Sequence, residues 1–250
     1  MPLTFPSHLA AVLPLALWRP RWFDGVALAS GAVAPDVAYL TTGTRFQITG
    51  THTVAGLLWW CLPVALGYAW LVRRCAGLVI PYLPGLGRFR WPAHAISRAG
   101  PHRWWITAGS ALLGAASHVA WDRATHTDGW LRALGIDWYA STGLHWWTVS
   151  DLTSTVVGGV VAVDLMRRLA RRARVVDEPA PPVRPAVFRR VAGLTVVAGA
   201  ALLPFLPAAR LTGATGVRLL HVVALAVLLG ALAATAEPRR ASAGLDWEQR

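Results

Sequence analysis

Histidine and aspartate recur at four-residue intervals in the stretch SHVAWDRATHTDGW, residues 117–130. His118, Asp122 and His126 occupy positions i, i+4 and i+8 of a segment that follows directly on an apolar run, WWITAGSALLGAA. On a helix such positions drift by about 80° around the axis and rise by about 6 Å at each step. The spacing predicts that the three side chains face one pocket, where they could hold one metal ion, or two with a bridging carboxylate.

Further candidate ligands stand at the ends of other apolar segments: His8, Asp36 and His52. Asp36 follows Pro35, and we expect the proline to break or kink a helix and free the carboxylate to face a cavity. Imidazole and carboxylate ligands suit zinc and other first-row divalent ions. Ionisable groups at membrane depth are costly unless paired, so each is a functional-site hypothesis. The roles of His145, Asp151 and His221 stay open at this point.

Each of these residues also has an ordinary structural interpretation. A lone His118 could be a core histidine with a hydrogen-bond partner, and Asp122 could pair with Arg123. His126 could belong to a helix end before Gly129, and His52 to a plain loop. Because several such groups fall on one predicted side of the protein, the set as a whole favours a metal or catalytic role.

The apolar segments themselves indicate a membrane protein. Hydrophobic residues make up 55% of the 250-residue chain and charged residues 14%, against about 25% charged in soluble domains. We predict an all-α fold, a polytopic membrane bundle of about six to seven transmembrane or half-inserted helices. The clearest segments are 53–72, 104–121, 147–166, 190–208 and 216–236, with a weaker one at 24–40 and a short, proline-interrupted one at 3–18.

Arginine predicts the orientation. The net charge of +12 could suggest nucleic-acid binding, but all 24 basic residues are arginines, and they cluster between apolar segments instead of forming one face. Such clusters are typical of cytoplasmic loops. The arginine-rich parts fall on one side when the segments alternate, which predicts a multi-pass protein of the bacterial inner membrane with its N-terminus outside, its C-terminus in the cytoplasm and membrane lipids as partners. His8, Asp36, His52 and the 118–126 triplet then lie together on the outer side.

The composition also predicts four regions along the chain. Residues 1–170 are predicted to form the bundle that carries the His/Asp site, and residues 171–189 an Arg/Pro-rich cytoplasmic linker. Residues 190–236 are predicted to be a transmembrane helical hairpin, and residues 237–250 a cytoplasmic tail. The first apolar segment precedes its arginines, unlike a cleaved signal peptide, so we expect it to remain in the protein.

Three motifs carry a resemblance: P-L-T-F-P-S-H-L-A at the start, A-P-D at 34–36, and H-x3-D-x3-H at 118–126. They resemble a family of uncharacterised bacterial integral membrane proteins with a P-F-T-x-S-H-P-A-like start. That family is similar to membrane-bound metal-dependent hydrolases and, distantly, to zinc-dependent phospholipase C. The resemblance implies that the metal ligands are His8, Asp36, His52, His118, Asp122 and His126, with Asp122 as a bridge.

Two functions follow as hypotheses. The first is a membrane-embedded, metal-dependent hydrolase near the outer membrane surface, acting on a phospholipid or another phosphoester, with zinc as the first candidate metal and Asp36 or Asp122 as general base. The alternative is a non-catalytic scaffold in which the metal only holds helices together. A transporter-like module ranks third, because the inner halves of the segments carry few polar residues.

Overall fold

The computed structural model describes residues 5–83, 102–172 and 184–235. This part of the chain is helical and contains no strand, which confirms the all-α prediction. Residues 84–101, residues 173–183 of the predicted linker and the predicted 237–250 tail lie outside the described residues.

Nine helices make up the described ranges of the chain. Four of them (α3, α7, α8 and α9) are long and apolar enough to cross a membrane, which indicates a membrane protein. The helices are α1 (Phe5–Trp18), α2 (Gly25–Val33), α3 (Val54–Tyr82), α4 (Trp104–Thr125), α5 (Gly129–Ala133), α6 (Trp138–Thr142), α7 (Trp146–Arg172), α8 (Pro185–Leu202) and α9 (Thr212–Thr235).

Several helix boundaries differ from the predicted segments, and two of these differences change the predicted organisation of the chain. Helix α3 runs ten residues beyond the predicted 53–72 segment and contains one π-helical turn at Leu57–Cys61. Helix α8 begins at Pro185, inside the predicted 171–189 linker. Proline is favoured in the first turn of a helix, where its missing N–H costs nothing. Residues 171–172 and 185–189 of the predicted linker are therefore helical.

Small residues bring α2 and α4 into close contact. Ala27, Ala32, Ala111 and Ala115 are fully buried. Without large side chains between them, two helix backbones can approach closely, as they commonly do in membrane proteins. The pairing of α2 with α4 places the end of α2 beside the last turns of α4, where the His/Asp triplet begins.

Pro35 ends α2 as the sequence predicts. The α-helix stops at Val33 and continues as a 3-10 segment over Ala34–Thr41, with the proline in its first turn. A proline cannot donate the next helical hydrogen bond. The change in helix type places Asp36 beyond the end of α2 and beside the end of α4.

A buried arginine in α9 holds the end of this 3-10 segment. Arg218 is 5% exposed. Its guanidinium donates to the carbonyl of Leu40 at 3.3 Å, of Thr42 at 2.8 Å and of Pro207 at 2.6 Å. The predicted 190–236 hairpin therefore packs against the His/Asp bundle, and the hydroxyl of Tyr68 in α3 adds a second contact by donating to His221 Nε2 at 2.5 Å.

Replacing Arg218 by methionine should destabilise the protein by about 3 kcal/mol, because hydrogen bonds to charged groups contribute about 1.5–3 kcal/mol each and three carbonyls would lose their donor. The measurement is thermal unfolding in detergent. Arg210→Met is the matched control, since Arg210 is exposed. Equal Tm values for the two variants would show that Arg218 does not hold the segment.

The opposite end of the bundle is fixed by a second buried charge. Asp24 is 1% exposed; it caps α2 and accepts hydrogen bonds from Arg73 in α3 and, at 2.8 Å, from Thr107 in α4. Thr107 and His118 are eleven residues apart on α4, which corresponds to about 16 Å along the axis. The His/Asp residues therefore gather at one end of the helices, with this ion pair at the other.

Candidate metal centre

Four parts of the chain contribute the candidate ligands. His8 lies in the first turn of α1, Asp36 in the 3-10 segment and His118 with Asp122 in the last turns of α4. His52 directly precedes Thr53, whose hydroxyl caps α3. His126 is the first residue after α4, and its N–H donates to the Asp122 carbonyl at 2.8 Å, so the helical spacing extends to it.

Four of these side chains surround one point. Each of Asp36, His52, His118 and Asp122 offers one ligand atom, and these atoms all lie within 4.8 Å of one another. Asp36 Oδ1 is 3.5 Å from both His52 Nε2 and His118 Nε2. Asp122 Oδ2 is 3.5 Å from His52 Nε2 and 3.2 Å from His118 Nε2.

These separations fit ligands around a cation. Hydrogen bonds between charged nitrogen and carboxylate oxygen are about 2.7–2.9 Å long, shorter than any of the four nitrogen–oxygen distances above. Zinc bonds to nitrogen and oxygen of about 2.0–2.2 Å in a tetrahedron place neighbouring ligand atoms about 3.3–3.6 Å apart. The four nitrogen–oxygen distances of 3.2–3.5 Å lie close to that range, so the two imidazoles and two carboxylates form a group that could hold a metal ion.

The backbone of α2 sets which nitrogen of His118 faces the centre. His118 Nδ1 donates to the Ala32 carbonyl at 2.7 Å. Nε2 then points at two carboxylates, and among the described residues it has no hydrogen-bond partner. A bond from the far ring nitrogen to a carbonyl is the usual way in which proteins orient a metal-binding histidine.

His52 forms the exposed edge of the centre. Its side chain is 35% exposed, whereas those of His8 and His118 are 1% exposed. The Asp122 and Asp36 carboxylates raise the pKa of His52 above its ordinary value. A proton and a metal ion would compete for the same nitrogen, so metal binding there releases protons. The centre thus has a buried floor and one side open to small molecules.

Two predicted ligands lie on the far side of Asp122. Its Oδ1 is 3.4 Å from His8 Nε2 and 3.4 Å from His126 Nδ1, while the rings of His8 and His118 stack at 3.8 Å. All six residues predicted as ligands thus come together, but as two groups that share Asp122.

Of the three residues whose roles were left open, one lies at the centre and two lie elsewhere. Asp151 joins the centre, with Oδ1 3.4 Å from His126 Nε2. His145 does not: it is exposed and stacks on Trp147 at 4.1 Å. His221 contacts another helix through Tyr68.

Histidines, and no arginine in the described part of the chain, face the three carboxylates. Within residues 5–83, 102–172 and 184–235, Asp36, Asp122 and Asp151 pair with histidines alone, and no arginine lies within 4.0 Å of them. Buried carboxylates are stable only when a positive charge compensates them. Divalent cations would supply that charge.

Sequence reasoning missed the residues that hold the ligands in place. The Ala32 carbonyl has no sequence signal, since any residue supplies one. Arg218 had a signal: an arginine inside an apolar segment marks a buried contact.

The fold and the site together define a class of protein: an all-helical membrane protein with a His/Asp cluster at one end of its bundle. Residues 1–236 match the model of a family described as a domain of unknown function, DUF4184, and the chain belongs to that family. The predicted resemblance to an uncharacterised family is confirmed, whereas the likeness to hydrolases stays a prediction. No curated protein matches the chain, and no solved structure matches it.

Proposed function

We propose that the protein is a membrane-embedded, metal-dependent hydrolase whose centre is formed by Asp36, His52, His118 and Asp122. The observation that carries the proposal is the set of four ligand atoms within 4.8 Å of one another. Zinc is the first candidate, because this mixture of imidazole and carboxylate is typical of its sites.

Accessibility favours chemistry over a purely structural role. Structural zinc sites are closed, whereas catalytic sites admit water or substrate. Here the side chains of His52 and Asp122 are 35% and 21% exposed, above a floor formed by His118. A small molecule can therefore reach the ligands from the His52 side.

Different residues of the centre would have different roles in the reaction. A bound divalent ion supplies water of lowered pKa and polarises a phosphoryl or acyl oxygen. His118, which is oriented by the Ala32 carbonyl, would hold the ion on the buried side. Asp36 contributes Oδ1 to the centre, and its second oxygen would act as general base by accepting a proton from the attacking water.

The position of the centre supports a lipid substrate. The centre lies at one end of a bundle that includes four helices long and apolar enough to cross a membrane. The arginine pattern predicts that this end faces the outer side of the bacterial inner membrane. We therefore propose a phospholipid or another lipid-linked phosphoester as the substrate class.

The test begins with metal content. The purified wild type should contain a divalent metal, and His118→Ala should lose the metal of this centre. Hydrolysis of a phosphoester or lipid ester should fall more than about 100-fold in that variant, since even residues that only orient metal ligands cost about 10–100-fold when replaced. His145→Ala is the matched control, because His145 lies outside the centre.

A wild type without metal, or full activity in His118→Ala, would refute the proposal. The alternative is a metal-stabilised scaffold. It predicts a different result: the wild type contains metal and loses thermal stability when the metal is chelated, but it hydrolyses neither phosphoesters nor lipid esters.

A further inference from the structure

A groove lies along the seam between α1, α4 and α7. Its volume is about 590 Å³, within the range of about 300–1,000 Å³ that is usual for small-molecule sites. Helices α1 and α7 touch beside it, because a Cβ at Gly158 would lie 2.5 Å from the Cα of Ser7. Ala10 and Ala11 also line the groove, and their short side chains leave the space unfilled.

The groove begins beside the His/Asp cluster. Four of its lining residues directly precede a residue of that cluster: Ser7 before His8, Trp121 before Asp122, Thr125 before His126 and Ser150 before Asp151. Consecutive side chains of a helix are turned by about 100°, so the groove lies on the face next to the cluster. The side chains of Asp122 and His126 are 21% and 22% exposed. A ligand in the groove can therefore reach the cluster with its polar end.

The length of the groove matches one leaflet of a bilayer. Along α7 it extends from Ser150 to Val161, and eleven residues of helix advance by about 16 Å. The hydrocarbon core of a bilayer is about 30 Å thick, so each leaflet contributes about 15 Å. An acyl chain that starts at the cluster would end near Val161.

The lining of the groove suits a hydrocarbon chain. Among the residues that the structure describes, no charged side chain lines it. The hydroxyl of Ser150 donates to the Thr125 carbonyl at 2.6 Å, and that of Thr125 donates to the Trp121 carbonyl at 3.0 Å. The Ser154 hydroxyl likewise donates to the Ser150 carbonyl. These hydroxyls are engaged by the backbone, so the surface offers mainly carbon atoms to a ligand.

We propose that this groove binds one acyl chain of a phospholipid and thereby holds the phosphoester at the His/Asp cluster. The inference rests on the proposed hydrolase function, because it names where the substrate of that reaction binds. The chain would enter sideways from the leaflet around the cluster, so the lipid need not leave the membrane. Lipid tails are as apolar as the side chains, so packing in the groove, and not the hydrophobic effect, would select the chain.

Photo-crosslinking tests whether the groove is occupied, without any catalytic step. The purified full-length protein in detergent is irradiated with a phosphatidylglycerol that carries a diazirine in the middle of its acyl chain. We expect adducts to saturate at one per protein chain and to map to peptides that contain Ala11, Thr125 or Val157. Excess unlabelled phosphatidylglycerol should remove these adducts, whereas glycerol phosphate, which has no acyl chain, should not.

Two neighbouring valines provide a matched pair of variants. Val156 and Val157 are 59% and 55% exposed, but of the two only Val157 lines the groove. Val157→Trp should fill the groove and lower the adduct yield about tenfold, which corresponds to about 1.4 kcal/mol. Val156→Trp should leave the yield unchanged. Ala11→Phe repeats the test from α1, and a Tm near that of the wild type shows that each variant is folded.

Hydrolysis separates the groove from the metal centre. Val157→Trp should raise KM for the long-chain lipid about tenfold, the same factor as in the adduct yield, and leave hydrolysis of a water-soluble phosphoester without an acyl chain unchanged. Adducts scattered over the protein surface, or equal yields in Val156→Trp and Val157→Trp, would overturn the groove and leave the proposed hydrolase intact. Saturable adducts in a protein that hydrolyses no ester would support the groove as a lipid site and overturn the hydrolase.

Discussion

Replacing Asp122 by asparagine should leave the protein without bound metal and without hydrolytic activity. Its two carboxylate oxygens face four imidazoles: Oδ2 lies near His52 and His118, and Oδ1 near His8 and His126. Asparagine keeps the shape but loses the charge and one of the two oxygens. A neutral amide is a weaker metal ligand than a carboxylate, so the proposed centre should lose its metal.

The size of this effect distinguishes Asp122 from its neighbours. Asp122→Asn should lose the bound metal and lower activity by more than about 100-fold, beyond the effect of residues that only orient ligands. Asp151→Asn should lower activity less, because Asp151 lies beside His126 and outside the four-residue centre. Metal per chain and ester hydrolysis are the measurements. Asp128→Asn is the control, because Asp128 pairs with Arg132 outside the centre. Wild-type metal content in Asp122→Asn would exclude Asp122 as a metal ligand.

Spacing along the chain was enough to predict the local part of the site. His118, Asp122 and His126 follow one another at four-residue intervals. The first two lie in α4, and the N–H of His126 donates to the Asp122 carbonyl, so the three residues lie on one side of the helix. The break at Pro35 was also predictable, since the constraint acts within one turn. These features depend on backbone geometry, which the residue types determine directly.

Contacts between distant segments could not be predicted in the same way. The Ala32 carbonyl that orients His118 lies 86 residues away along the chain, and those that hold Arg218 lie up to 178 away. Which carbonyl meets which side chain depends on how the helices pack. Packing also decides that Asp151 joins the centre while His145, six residues earlier, stacks on Trp147.

Replacing Gly114 by alanine should destabilise the protein and distort the metal centre from a position that contains no ligand. A Cβ at Gly114 would lie 2.2 Å from the Leu28 carbonyl oxygen, and one at Gly31 would lie 2.0 Å from that of Ala111. Both obstacles are backbone atoms, which cannot rotate away as a side chain can. The added methyl must therefore push α2 and α4 apart.

Separation of these helices acts on the centre through His118. The ring lies one turn after Gly114, and its 2.7 Å hydrogen bond to Ala32 crosses the same interface. Forcing extra atoms into a packed core costs about 1–3 kcal/mol, and we expect Gly114→Ala to reach about 3 kcal/mol because backbone must move. Loss of the hydrogen bond should also weaken metal binding about 10–100-fold, the usual effect of losing a group that orients a ligand.

A glycine on the same helix provides the control for this prediction. A Cβ at Gly109 meets nothing within 4 Å. Alanine favours a helix over glycine by about 1 kcal/mol, so Gly109→Ala should raise Tm slightly and leave metal affinity unchanged. Thermal unfolding in detergent and metal titration of both variants give the comparison. If Gly114→Ala matched Gly109→Ala in both measurements, the close approach of α2 and α4 would not position His118, and its orientation would have to come from the carboxylates of the centre itself.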